Sequence, residues 1–192
     1  MSDMSSAISR NRKGGGLDST DRKILSALHL NGRLTINELA ETVGLSPSPC
    51  WTRVKRLEAS GTIERYAAII DQAAIGFHDI VFVEITLEKH DEKVLERFGQ
   101  ALARIPQVLE AHLVTGEYDY LVKVAVADTS DFERFLREQL YRIEGIRHSK
   151  STFSLRALKR VVSVDPMAIV QKPPTIIADE AVAVIDVKKD RL

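Results

Sequence analysis

Residues 35–61, TINELAETVGLSPSPCWTRVKRLEASG, constrain the fold of this chain more than any other stretch. Thr35 and Glu38 stand at capping-box spacing, in which the threonine oxygen accepts from the N–H three residues on and the glutamate reaches back to the cap. Ile36, Leu39, Ala40 and Val43 then recur at helical period and predict one apolar face. Gly44 can take the positive φ that ends a helix and turns the chain. Ser46 is a good N-cap for a second helix, and Pro47 falls at its first position, where proline is tolerated. Pro49 lies in the same first turn, where an N–H has no intrahelical partner to lose. Cys50, Val54 and Leu57 repeat at i, i+4 and i+7 and should face inward. Ser48, Pro49, Thr52, Arg53 and Arg56 are left on the outer face with Lys55 beside them, and Gly61 closes the helix. Two helices joined at a glycine, the second basic outside, are how a helix-turn-helix seats a reading helix in the major groove of double-stranded DNA.

The stretch before it completes a three-helix unit. Leu17 to Asp21 opens a helix with a cap and an acidic first turn. Ile24, Leu25, Leu28 and Leu30 supply its apolar positions, and Asn31-Gly32 closes it. Leu25, Leu28, Leu39, Val43, Val54, Leu57 and Ile63 then form a small core. Charge is the weak point of a DNA reading, because 27 Lys and Arg balance 27 Asp and Glu over 192 residues. Its distribution is mildly split: residues 1–66 hold ten basic and seven acidic side chains, and residues 67–192 hold 17 and 20. That footprint implies affinity from several modules acting together rather than from one strongly basic domain.

Residues 63–70, IERYAAII, read as a strand leaving the helical unit, and Asp71 to Phe77 as a linker. Period-2 patterning then marks a strand at 80–87, and a helix follows over 91–105, stopped by Pro106. Strands follow at 108–114 and 120–126, joined by the turn Thr115-Gly116-Glu117-Tyr118-Asp119. A helix over 130–142 takes Ser130 as its cap, and Ile146 to Leu155 is a last strand. The order β-α-β-β-α-β predicts an α+β chain whose second half is a ferredoxin-like, four-stranded antiparallel sheet with both helices on one face. The other face, expected to carry Val83, Ile85, Leu113, Leu121 and Val124, would seek a second copy of the chain. The domain plan is a flexible arm (1–16), a helix-turn-helix domain with its linker strand (17–78), an oligomerisation and sensing domain (79–160), and a C-terminal extension (161–192).

LDSTDRKIL, VGLSPSPCWTRVKRLEASGTI, VFVEITL and HLVTGEYDYLVKV together resemble the Lrp/AsnC regulators over Leu17 to Lys159, most of the chain. The resemblance implies a winged or simple helix-turn-helix followed by a ferredoxin-like (RAM- or ACT-like) sensing domain. It implies dimers that assemble to octamers or related rings, and bacterial control of amino-acid metabolism genes. It also implies an amino-acid effector such as leucine bound between dimers, and no other cofactor. Trp51 departs from the pattern, which usually has a smaller residue there. It either packs on the first helix or lies against the sugar-phosphate edge.

DNA contact is expected from Ser46, Pro47, Ser48, Thr52, Arg53, Lys55 and Arg56. Arginine can fork onto guanine O6 and N7 or pin phosphates, and hydroxyls and N–H groups at a helix N-terminus favour phosphate. By resemblance, Thr115, Gly116, Tyr118, Asp119, Tyr120 and Tyr141 form the effector site. There Asp119 would meet an ammonium, backbone N–H groups near Gly116 a carboxylate, and Tyr118 or Tyr141 the ligand side chain. The alternative for that turn is a plain β-turn.

The remaining features narrow the class. No apolar run approaches a membrane span, and the N-terminus is not a secretory signal. With Cys50 as the sole cysteine, no disulfide framework or cysteine metal site is available, so a reducing cytoplasm fits; the resemblance to DNA-binding regulators implies association with the nucleoid. Cys50 should be a packed side chain. Arg10, Arg12 and Lys13 either touch phosphate or belong to a solvated tail. The five histidines lack metal-ligand spacing, and Gly14-Gly15-Gly16 is a hinge rather than a phosphate loop. Beyond Lys159 the chain departs from the family, and IIADEAVAVIDV after Pro173-Pro174 either adds an edge strand or stays disordered. Two other readings use the same architecture: an enzyme resembling sirohaem decarboxylases, with His112 as its candidate, and a sensor or scaffold without DNA binding.

Overall fold

The computed structural model describes residues 16–168. They form two compact units, one of residues 16–67 with 161–168, the other of residues 68–160. The division falls at Ala67 rather than 78, and the start of the C-terminal extension returns to the helical unit.

The first unit contains α1 (Ser19–Leu30), α2 (Ile36–Val43) and α3 (Pro47–Ala59). The capping box at Thr35 and the turn at Gly44 are those the sequence predicts. Thr35 and Glu38 form a complete capping box, Asp18 and Asp21 form a second one at α1, and Gly44 ends α2 at φ 74°. Ile24, Leu39, Ala40, Val43, Cys50, Val54 and Leu57 are buried together, with Leu17, Leu25, Leu28 and Ile63 packed around them. Leu30, read as one of the apolar positions of α1, is 80% exposed. It lies six residues after the buried Ile24, roughly 240° around the helix and therefore on the other side. The returning segment touches α1, where Ser163 Oγ lies 3.0 Å from His29 Nδ1.

Residues 63–70 form no strand. A strand needs a neighbouring strand to satisfy its amides, and the four-stranded sheet of the described residues includes none from this segment. Ile69 and Ile70 are consequently 72% and 55% exposed.

The second unit contains β1 (Asp79–Leu87), α4 (Glu92–Leu102), β2 (Val108–Leu113), β3 (Tyr120–Val126), α5 (Thr129–Glu138) and β4 (Ile146–Phe153). The strands are antiparallel neighbours in the order β2-β3-β1-β4, the ferredoxin-like arrangement. Both helices cover one face through Phe98, Leu102, Phe132 and Phe135, packed on Val81, Val83, Ile85, Leu87, Val122 and Val124. Gly99 lets α4 close on the sheet, since a Cβ there would stand 3.3 Å from Tyr120 Oη. Asp128, not Ser130, caps α5, its side chain accepting from Asp131 N–H. Tyr141 lies beyond α5, in the 3-10 turn Leu140–Arg142.

Register corrects the expected open face. Val83 pairs with Val122, and Ile85 with Tyr120, so Val83, Ile85 and Val124 belong to the helix side and are fully buried. Leu113 pairs with Tyr120 and shares that side, but its place on an edge strand leaves it 59% exposed. The opposite face carries Phe82, Glu84, Leu121, Lys123, Glu110, His112 and Lys150. Lys123 Nζ is 2.7 Å from Glu110, and Lys150 Nζ is 3.5 Å from Glu84. A mixed, ion-paired surface with Ile80, Phe82, Leu121 and Ala125 among the charges replaces the bare apolar sheet, because period-2 patterning leaves open which face receives the helices.

Candidate functional site

The reading helix α3 begins at Ser46, which sits at the N-cap position but makes no side-chain capping bond. Pro47 and Pro49 remove two of the four N–H groups that a helix start normally offers. The N–H groups and hydroxyls of Ser46 and Ser48 therefore carry the donor capacity of this end. All four residues from 46 to 49 are exposed. Thr52 is exposed too, its hydroxyl donating back to the Ser48 carbonyl at 3.1 Å.

The arginines are placed differently from the sequence expectation. Arg53 Nη1 donates to Asp18 Oδ2 at 2.5 Å and to Asp21 Oδ1 at 2.8 Å. Arg56 Nη2 donates to both oxygens of Asp21, at 2.6 and 2.5 Å. The Asp21 side chain is 2% exposed, against 30% for Arg53 and 58% for Arg56. These bonds hold Arg53 above its ordinary pKa, with Asp18 the larger cause and Asp21 next. The Asp18 carboxyl is held below its ordinary value, first by the Asp21 N–H and then by Arg53. Arg53 is thus turned back onto α1 instead of presenting a free fork to a base. Lys55 lies 2.7 Å from Glu58. Trp51 stays 52% exposed and lines a 270 Å³ groove with Leu28, Leu34 and Tyr66. Asp21 as the common partner of both arginines was legible only as a first-turn acid, since a separation of 32 residues leaves no local pattern.

The second candidate is the turn between β2 and β3. Gly116 has φ 129°, a backbone conformation that L side chains rarely adopt. Thr115 and Gly116 are exposed, while Tyr118 and Asp119 are half-buried. Asp119 folds over the end of β1: its Oδ2 accepts from Leu87 N–H at 2.8 Å and lies 3.1 Å from His90 Nε2. Its N–H donates to the Ile85 carbonyl at 2.9 Å. Tyr120, expected among the effector contacts, is a core residue at 5% exposure, its hydroxyl donating to the Leu95 carbonyl at 2.5 Å. Burial and the Asp119 charge raise its pKa. Tyr141 makes its contact elsewhere, with Oη 3.1 Å from Ser149 Oγ. His90, which no sequence pattern singles out, is brought to Asp119 by the tertiary fold while staying exposed.

Residues 17–64 match the family described as "Winged helix-turn-helix DNA-binding", and residues 80–164 match "Lrp/AsnC ligand binding domain". The chain belongs to the Lrp/AsnC family. It is 39% identical over 152 residues to the leucine-responsive regulatory proteins of Klebsiella pneumoniae and of Escherichia coli K12, covering 79% of this chain and 93% of each relative. Among solved structures, a transcriptional regulator of Neisseria meningitidis in complex with L-Met is 36% identical with a TM-score of 0.74, over 78% of this chain and 96% of that one. An AsnC family transcriptional regulator from Agrobacterium tumefaciens is 33% identical with a TM-score of 0.75, over 80% and 99%. The chain is thus a DNA-binding transcriptional regulator with an Lrp/AsnC ligand-binding domain. No described helix is long and apolar enough to cross a membrane.

Proposed function

We propose that this Lrp/AsnC regulator binds an amino acid with an apolar side chain at the β2–β3 turn and that binding resets DNA affinity. The observation that carries this reading is the turn itself. Gly116 exposes backbone, and Asp119 holds the turn against β1 and His90. Thr115 and Gly116 offer donors for a carboxylate, Asp119 offers an anion for an ammonium, and Tyr118 offers a wall. Tyr141 is assigned to the site by resemblance to the family alone, its hydroxyl lying 3.1 Å from Ser149 Oγ. Tyr120 contributes its backbone, its side chain being committed to the core. The similar proteins named as leucine-responsive or solved with L-Met support a ligand of this class.

DNA contact is assigned to Ser46, Pro47, Ser48 and Thr52 at the exposed start of α3, with Lys55 alongside. Homodimers are assigned to the open sheet face, and octamers or similar rings to their further assembly. The exposed Phe82, Ile69 and Ile70 give such an assembly apolar surface to cover. A regulatory rather than catalytic role fits the relatives, which are named as regulators. His112, the candidate of the enzyme reading, is an exposed side chain 3.5 Å from Glu110. A cytoplasmic, nucleoid-associated location follows from the DNA partner.

A thermal-shift screen of the twenty amino acids tests the effector assignment. Leucine or methionine should raise the melting temperature, by an amount equivalent to ~2.7 kcal/mol at a ligand concentration of 100 Kd. Asp119→Ala should abolish that rise. No response to any amino acid, or a full response in Asp119→Ala, would remove the turn from the site.

A further inference from the structure

All three basic side chains of α3 are matched by carboxylates of their own unit. Lys55 faces Glu58, and Arg53 and Arg56 converge on Asp18 and Asp21. The four-residue cluster of two arginines and two aspartates carries no net charge. Asp21 is its centre, because both its oxygens accept from guanidinium and its side chain is 2% exposed. A helix that reads as basic in sequence is therefore electrically neutral in the fold.

We propose that Asp21 is a specificity-determining positioning residue. It serves as an internal counter-ion that withholds the guanidiniums of Arg53 and Arg56 from DNA phosphates and so suppresses sequence-indiscriminate binding. The proposal rests on α3 being the helix that faces DNA. Phosphate contacts by Arg and Lys supply essentially all non-specific affinity and its salt dependence. A reading helix stripped of them discriminates through hydroxyl and groove contacts at its N-terminal turn and needs several copies acting together to bind tightly. The geometry also separates the two arginines. Arg53 is shared between two carboxylates and stays held if one is neutralised, whereas Arg56, among the described residues, is held by Asp21 alone and is 58% exposed.

The test compares wild type, Asp21→Asn, and the double variant Asp21→Asn/Arg56→Gln. Each is titrated against a random-sequence duplex over a salt series, and against a duplex enriched from genomic DNA by the wild-type protein. Asp21→Asn should bind the random duplex several-fold tighter. Its log K against log salt should steepen by about 0.9 per chain, one freed guanidinium per phosphate. The ratio of enriched to random affinity should fall by a similar factor. The double variant, which restores the net charge, should return to the wild-type slope. If Arg56 were already a phosphate contact, the double variant would instead lose about 0.9 of slope, and the proposal would be wrong. Asp21→Asn that loses affinity for both duplexes in proportion, with a lowered melting temperature, would make Asp21 a purely structural residue and also overturn it. Wild type that enriches no duplex from genomic DNA would remove the DNA-facing assignment of α3, and the counter-ion role with it.

Discussion

At the residue scale, burial decides chemistry. Cys50 is fully buried among Ile24, Leu39 and Val54, and burial pushes its thiol up from the ordinary value. A buried neutral thiol is a poor nucleophile, so an aromatic disulfide reagent should label it only as fast as the domain opens, measured by absorbance with and without urea. Cys50→Ser should cost about 1–3 kcal/mol in a urea titration, by burying a hydroxyl. The capping carboxylates give a pH signature. Glu38 is held below its ordinary 4.5, first by the Thr35 N–H and then by the Thr35 hydroxyl, and Asp18 below its ordinary 3.8 by the Asp21 N–H and Arg53. Because folding lowers these values, the stability they contribute is complete above the unfolded values and is lost as pH falls through the folded ones. Melting temperature should therefore hold steady through mildly acidic pH and fall only below about pH 4.5. Each of these caps was legible in sequence because its partners stand three residues apart.

At the element scale, local signals placed the helices well and their edges less well. The capping box at Thr35, Gly44 and Pro47 define α2 and α3 by short-range chemistry that nothing distant overrides. At α5 the same logic points to Ser130, but the fold uses Asp128, two residues earlier. Asp128→Ala should cost about 1 kcal/mol by chemical denaturation, whereas Ser130→Ala should stay within about 0.5 kcal/mol. The segment 63–70 shows the converse. Its composition favours a strand, but strand formation depends on a neighbouring strand, and the sheet of the described residues includes none from this segment.

At the scale of the whole molecule, which sheet face points out controls how copies meet. The outward face carries Phe82 beside Glu84, Glu110, Lys123 and Lys150. Phe82→Glu adds a like charge next to Glu84, and across a two-fold contact such charges repel at a cost of several kcal/mol. Light scattering should show wild type as multiples of the 21.4 kDa chain, and Phe82→Glu should shift that distribution toward the single chain at equal concentration. An unchanged distribution would move the contact to another surface.

The sequence by itself determined the family, the βαββαβ order and the start and stop of the reading helix. Those depend on periodicity, caps and turns, whose interacting residues lie within one or two helical turns of each other. The tertiary structure decided what the functional side chains touch. It turned Arg53 and Arg56 onto Asp21, drew Asp119 to Leu87 and His90, sank Tyr120 into the core and chose the outward face of the sheet. Each of these joins residues about 30 apart or more, or depends on which face the helices cover. No spacing in the chain encodes such partners, because they are selected by packing and charge only once the elements meet.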